Sequence, residues 1–198
     1  MTPPQIDVEY HARILDVVRA HMALNGSLRP TAFVHVEDGD RIVLVDSLEI
    51  EDQNQFIDVV RRTSAERRSP RCAIARECFK VDSEDPVELA AMHHAIMQDP
   101  GILETHPLMI RGLSIQVESE EGLVTSFHAI ERHHPQMADV QRGDARFQSI
   151  PHEMRGRLNG FHVPAVLRGG PEMEAVMERV RHLTLRRPDE AEQPVRHS

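Results

Sequence analysis

The sequence has no long apolar run. Its longest apolar segments are short, for example "RIVLVD" at 41–46 and "HAIM" at 94–97, whereas a membrane-spanning helix needs roughly 18 such residues. The first 15 residues, "MTPPQIDVEYHARIL", contain early acids and no basic segment followed by an apolar one, which argues against a secretory signal. We therefore expect a cytoplasmic protein with no membrane partner.

Cysteine is scarce, with Cys72 and Cys78 as the two examples. Both lie in a segment that we predict to be one strand. A strand rises about 3.3 Å per residue, so the two thiols would lie about 20 Å apart, too far for a disulfide. We predict that both are reduced and that they pack as small hydrophobic side chains.

Positive charge is also limited. The formal net charge is −9, and Lys80 is the one lysine. This balance opposes general binding to nucleic acid, which depends on neutralising phosphates. A local exception is the arginine-rich segment 61–71, "RRTSAERRSPR". It is typical of a solvated helix end whose cations suit the negative end of the helix dipole; binding of an anion or RNA is the weaker alternative.

Common catalytic and phosphate-binding motifs are missing. The sequence contains no G-x-S-x-G, no G-x-x-x-x-G-K and no G-x-G-x-x-G, so neither a nucleophile elbow nor a dinucleotide or P-loop fold is indicated. Residues 167–170, "LRGG", precede a predicted helix. They suit either an anion site or an ordinary loop.

Apolar periodicity predicts a series of helices and strands. Helices are predicted at 5–24, 50–66 and 86–99, and a last one opens at Gly170-Pro171 and ends before Pro188. A strand is predicted at 71–82, with short strands around 145–150 and 161–167. Asp38-Gly39 lies between two apolar runs and predicts a hairpin in which Val34 faces Val43. Both faces of this hairpin are apolar, so we expect it inside a sheet, covered on two sides.

Residues 108–132 predict a second hairpin. If residues 120–122 form a three-residue loop, Ser119 faces Leu123 and the pairing continues to Leu113 facing Ala129. One face of this hairpin is then apolar. The opposite, mostly polar face is a candidate binding surface for a small ligand or a partner, and its candidate residues are Ser114, Gln116, Ser126 and His128.

The 13 histidines are roughly three times the ordinary usage and raise the question of a metal site. Zinc, or another divalent transition metal, takes about three imidazole or carboxylate ligands that converge on one point. The candidate ligands are Glu118, His128, His133 and His134. His133 and His134 can join His128 only if the chain turns at Pro135; the alternative is solvated imidazoles at a strand end. His93 and His94 are adjacent on a predicted helix, a spacing that does not stack two imidazoles on one face.

These elements predict an α+β fold with about five mainly antiparallel strands and helices packed largely on one face. We expect a single domain over residues 1–187 and a disordered polar tail over 188–198. The first functional hypothesis is a non-catalytic or regulatory protein without a cofactor that self-associates as a homodimer or binds a ligand on the polar sheet face. The alternative is a metal-dependent hydrolase or a metal-binding protein that uses the clustered histidines.

Overall fold

The chain forms an α+β fold. The computed structural model describes residues 5–37, 41–47, 52–134, 137–141, 143–149, 158, 160–181 and 183, with the backbone alone for residues 6, 132–134 and 137. Among these residues, no helix combines the length and the apolar character required to cross a lipid bilayer. The predicted tail, 188–198, lies outside the described residues.

The described residues contain five α-helices and seven strands. The helices are α1 (Gln5–Asn25), α2 (Gln53–Glu66), α3 (Pro86–Gln98), α4 (Ile102–Thr105) and α5 (Pro171–Arg179). The strands are β1 (Thr31–His35), β2 (Ile42–Asp46), β3 (Arg71–Val81), β4 (Met109–Ser119), β5 (Gly122–His134), β6 (Met137–Val140) and β7 (Ala145–Ser149).

Local signals place several of the helix ends. Gly26 adopts a left-handed φ of 69°, which residues with a Cβ rarely adopt, and it closes α1 where the sequence predicts a stop. The Asp85 carboxylate accepts a hydrogen bond from the Val87 amide at 2.9 Å, and Pro86 occupies the first turn of α3. Asp52 caps α2 in the same way through the Asn54 amide at 2.7 Å. The predicted start of α3 is therefore confirmed.

The strands form one antiparallel sheet in the order β2-β1-β3-β4-β5-β6, and β7 also pairs with β5. The predicted register of the first hairpin is confirmed, because Val34 pairs with Val43 and Phe33 with Leu44. Strand β1 is central and covered on both sides, whereas β2 is an edge strand on which Leu44 is exposed. The expectation of cover on two sides therefore holds for β1 and fails for β2.

Helices pack against both faces of the sheet. The buried stripe of α1 lies against one face, with Phe33, Ala73, Leu113 and Ile115 beneath it. Helix α2 lies on the opposite face, against Ala32, Val34, Cys72 and Ile74. The two sets alternate along the strands, as opposite faces require. The predicted packing largely on one face is therefore not what the structure shows. Because α1 contacts β3, β4, β5 and β6, the sheet curls around it.

Other predictions fail where apolar periodicity is weak. No strand covers 161–167; a short 3-10 helix occupies Ala165–Leu167 instead. Strand β6 and helix α4 were not predicted, and the sheet has seven strands rather than about five. Both cysteines are free on β3, as expected, and Cys72 is buried.

Candidate functional site

The second hairpin is built on a different register from the predicted one. Its turn has two residues, Glu120 and Glu121, so Leu113 pairs with His128 and not with Ala129. A shift of one residue sends every side chain of one strand to the other face of the sheet. The predicted register is therefore wrong, and the side chains of β5 point the opposite way from the prediction.

This shift divides the predicted binding face. Ser114 and Gln116 lie on the side of the sheet that α2 partly covers, because they alternate with the buried Leu113 and Ile115. Ser126 and His128 pair with Ile115 and Leu113, so they lie on the α1 side, where both are buried. The four residues do not form one surface.

The proposed metal ligands are divided in the same way. The carboxylate of Glu118 accepts hydrogen bonds from the backbone amides of Phe161 (2.7 Å) and His162 (3.0 Å), whereas His128 lies on the other face of the sheet. Burial raises the pKa of Glu118, and the two amide bonds partly offset that shift. The side chains of His133 and His134 lie outside the described residues. Among the residues that are described, no three His, Cys, Asp or Glu side chains are placed to hold a metal ion.

His128 belongs to a buried chain of hydrogen bonds instead. Its Nε2 lies 2.7 Å from the Ser126 hydroxyl, which lies 2.6 Å from Nε2 of His11 on α1. The Gly143 amide donates to Nδ1 of His128 at 2.9 Å. The Gln141 carbonyl lies 3.1 Å from the same Nδ1, so the two contacts at Nδ1 fit opposite tautomers of His128. Ser126 has a single hydroxyl proton and donates it to one of the two imidazoles, and the tautomer of His128 sets which one.

The environment keeps both imidazoles neutral. Burial, followed by the proximity of His128, lowers the pKa of His11 from 6.5 to about 4. Burial also lowers the pKa of His128. The exposed fractions of His11, Ser126 and His128 are 5%, 6% and 1%, so the three side chains are enclosed. They tie α1 to β5 and are not positioned to meet a substrate in this conformation.

Sequence reasoning missed His11. Apolar periodicity predicts its neighbour Tyr10 on a buried stripe of the helix at 5–24, and both side chains are in fact buried. Tyr10 donates to the Phe33 carbonyl at 2.9 Å. The sequence does not show whether a polar residue beside a buried stripe is itself buried. For His11 the answer depends on Ser126, which lies opposite it on β5.

A partly exposed sheet surface lies beyond the area covered by α2. We call it the open face, and it contains Arg76, Cys78, Lys80, Ser114, Gln116, Thr125 and Phe127. These side chains point to one side of the sheet. Each of them pairs with another member across neighbouring strands or lies two residues from one along the same strand. All are intermediate in exposure except Lys80, which is exposed. On this face the β5 neighbours of Ser114 and Gln116 are Phe127 and Thr125, where the predicted register placed His128 and Ser126.

Charges on the open face are arranged by strand. Lys80 lies with its Nζ 5.9 Å from the centroid of the Phe127 ring, and Arg146 on β7 pairs with Thr125. Glu131 lies further along β5 and accepts a hydrogen bond from the Gln141 amide group at 2.6 Å; its partner on β6 is Asp139. Cations therefore flank the centre of the face, and acids lie toward β6.

The arginine-rich segment 61–71 is less solvated than predicted. Arg61 pairs with Asp58 at 3.0 Å and Arg71 with Asp7 at 3.0 Å. Arg168, from the "LRGG" segment, donates to the Ser69 carbonyl at 2.9 Å. A cavity of about 530 Å³ adjoins Arg168 and the start of α5. Arg62 and Arg181, which also line it, are paired with Glu66 and Glu178.

Comparison with known proteins adds no further information. No protein-family model, curated protein or solved structure matches the chain. The function of the protein therefore has to be inferred from its own side chains.

Proposed function

We propose that this protein is a non-catalytic, regulatory α+β protein that acts as a homodimer, and that the open face is the contact between the two copies. The observation that carries the proposal is a pair of opposite charges, Lys80 and Glu131, on the two sides of the open face. Lys80 pairs with Ile110. Ile110 and Glu131 each lie two residues beyond the Gly112–Ala129 pair. The observed pairing of β4 with β5 ends at Gly112–Ala129. We extend this register by two residues, which places Lys80 and Glu131 on either side of β4 at the same distance along the strands.

This arrangement is complementary to itself. A two-fold axis that lies in the interface and runs along β4 places β3 of one copy opposite β5 of the other. Lys80 then meets Glu131 of the second copy, and Arg76 meets the ring of Phe127, a favourable cation–π partner. Each contact occurs twice.

Small residues lie in the centre of the open face, and the ring of Phe127 covers one of them. Ser114, Gly112 and Ala129 lie between the flanking charged residues. A Cβ atom at Gly112 would collide with the Phe127 ring, so this ring occupies the space that a larger residue would take. Two sheets that pack face to face lie about 10 Å apart with interdigitating side chains.

The buried titratable groups support a non-catalytic role. His11, His128 and His162 are each exposed by 5% or less, and burial lowers the pKa of each. Burial raises the pKa of the Cys72 thiol to about 11, so it is not a thiolate at neutral pH. We also propose a cytoplasmic location, with which the two free cysteines are compatible.

Sedimentation velocity at tens of micromolar tests the proposal, and we expect a dimer. Lys80→Glu and Glu131→Lys should each weaken the dimer by about tenfold or more, because each places like charges opposite one another. The double variant with both substitutions should restore the dimer. Arg67→Glu, a charge reversal at an exposed position after α2, is the matched control and should have no effect.

Two results would contradict the proposal. One is a strictly monomeric wild-type protein at these concentrations. The other is a double variant that dimerises no better than the single variants, which would show that Lys80 and Glu131 do not face one another.

A further inference from the structure

Helix α3 is apolar but largely uncovered. Eight of its 13 residues are Val, Leu, Ile, Met or Ala, yet Met92 is the one buried residue among them. Val87 is 76% exposed and Met97 is 70% exposed. Large apolar side chains at such exposure on one helix are typical of a surface that binds a partner.

The outward residues form a stripe. Val87, Ala90, His94 and Met97 are spaced by three, four and three residues, which places them within about 80° of one another around the helix. All four are exposed. We call them the α3 stripe. This spacing is that of the a and d positions through which one helix packs against another.

The chain segment that contains the α3 stripe is acidic. Residues 81–110 contain no lysine or arginine, and their acids are Asp82, Glu84, Asp85, Glu88, Asp99 and Glu104. A second copy of α3 would bring two such acidic segments together, and their repulsion disfavours that pairing. A cationic partner would be attracted instead.

We infer that the α3 stripe binds the apolar face of a basic amphipathic helix from another protein. Val87, Ala90 and Met97 of the α3 stripe supply apolar anchor positions for a helix–helix contact, and the flanking acids select a partner rich in lysine or arginine. Methionine is unbranched and flexible, so Met97 can adapt to side chains of different shapes. This inference is independent of the open-face dimer, since it uses other residues and another partner.

The test uses a synthetic amphipathic peptide of about 16 residues with leucine at helical a and d spacing and lysine elsewhere. Binding is measured by fluorescence anisotropy with the full-length protein. We expect saturable binding that Val87→Ser and Met97→Ser each weaken by about tenfold, a loss typical of an anchor residue. Val166→Ser is the matched control, since Val166 is 77% exposed on the short 3-10 helix.

Two further peptides separate the apolar and electrostatic contributions. A scrambled peptide of the same composition tests whether any lysine-rich chain binds to this acidic protein. A leucine–glutamate peptide with the same apolar pattern tests the charge requirement. Both should bind at least about tenfold more weakly than the original peptide, and salt at about 0.5 M should weaken the original complex.

Three results would overturn the inference. They are the absence of binding to the leucine–lysine peptide, equal binding of the scrambled or the glutamate peptide, and binding that the two α3 substitutions leave unchanged. If Met97→Ser instead shifts the sedimentation of the free protein toward monomer, the α3 stripe is a contact between copies of this chain and the assigned partner is wrong.

Discussion

Helices α1 and α3 both carry apolar residues at helical spacing, but those of α1 are buried and those of α3 are largely exposed. In α1, Tyr10, Ile14, Val18 and Met22 are each exposed by 5% or less, against a sheet that curls around them. In α3, one residue of 13 is buried. The difference lies in what the fold places opposite each helix. Periodicity predicts that a helix has an apolar stripe, and the topology decides whether the stripe is covered inside the chain or remains available to a partner.

The largest effect is expected from a matched pair of methionines. Met22→Ala in α1 removes a fully buried side chain and should lower the free energy of unfolding by about 2–5 kcal/mol, because it leaves a cavity. Met97→Ala in α3 should change it by less than about 0.5 kcal/mol. Urea denaturation of both variants provides the measurement. Similar losses in the two variants would mean that α3 is packed as tightly as α1.

A matched pair of serines compares the two faces of the sheet. Ser126→Ala removes the hydroxyl that connects His128 to His11 and leaves buried polar groups without a partner, at a cost of about 1–3 kcal/mol. Ser114→Ala on the open face should cost less than about 0.5 kcal/mol in the folding of one copy. The two serines lie on neighbouring strands. Equal effects in urea denaturation would contradict the assignment of Ser126 to a buried chain of hydrogen bonds.

The residues of the second hairpin show where sequence reasoning reaches its limit. The alternation of Leu113, Ile115 and Val117 correctly predicts the buried face of β4, because from residue 113 to residue 118 the strand is apolar on that face alone. Strand β5 has apolar residues on both faces, Val124 on one and Phe127 on the other, so its pattern does not choose between the two registers. The choice depends on the turn at Glu120 and on the fit of Ser126 and His128 beneath α1. Those contacts join residues more than 100 positions apart, so they leave no local signal.

Helix ends were more predictable for the opposite reason. Asp85, Pro86 and Gly26 act on neighbouring residues, so their effect is visible in the local sequence. The exposure of α3 was not predictable from its pattern, since Met92 and Met97 are equally apolar. Only the described tertiary structure shows that Met92 is covered and Met97 is not.

The third comparison uses acid, and it tests the His11 contact directly. His11 has a pKa of about 4 in the folded protein and 6.5 as its ordinary value. Between these values the unfolded chain binds a proton that the folded chain does not. The free energy of unfolding should therefore fall as pH is lowered from about 6.5 toward about 4 and should not depend on this group above pH 6.5.

Urea denaturation at pH 7 and pH 5 measures this dependence. His11→Asn should make the loss of stability between the two pH values smaller, although His128 and His162 still contribute because their pKa values are also lowered. His94→Asn, on the exposed face of α3, should leave the loss as it is in the wild type. If His94→Asn reduces the loss as much as His11→Asn does, the burial of His11 against β5 is not the cause of the acid sensitivity. The histidines of α1 and α3 would then contribute equally to the loss of stability.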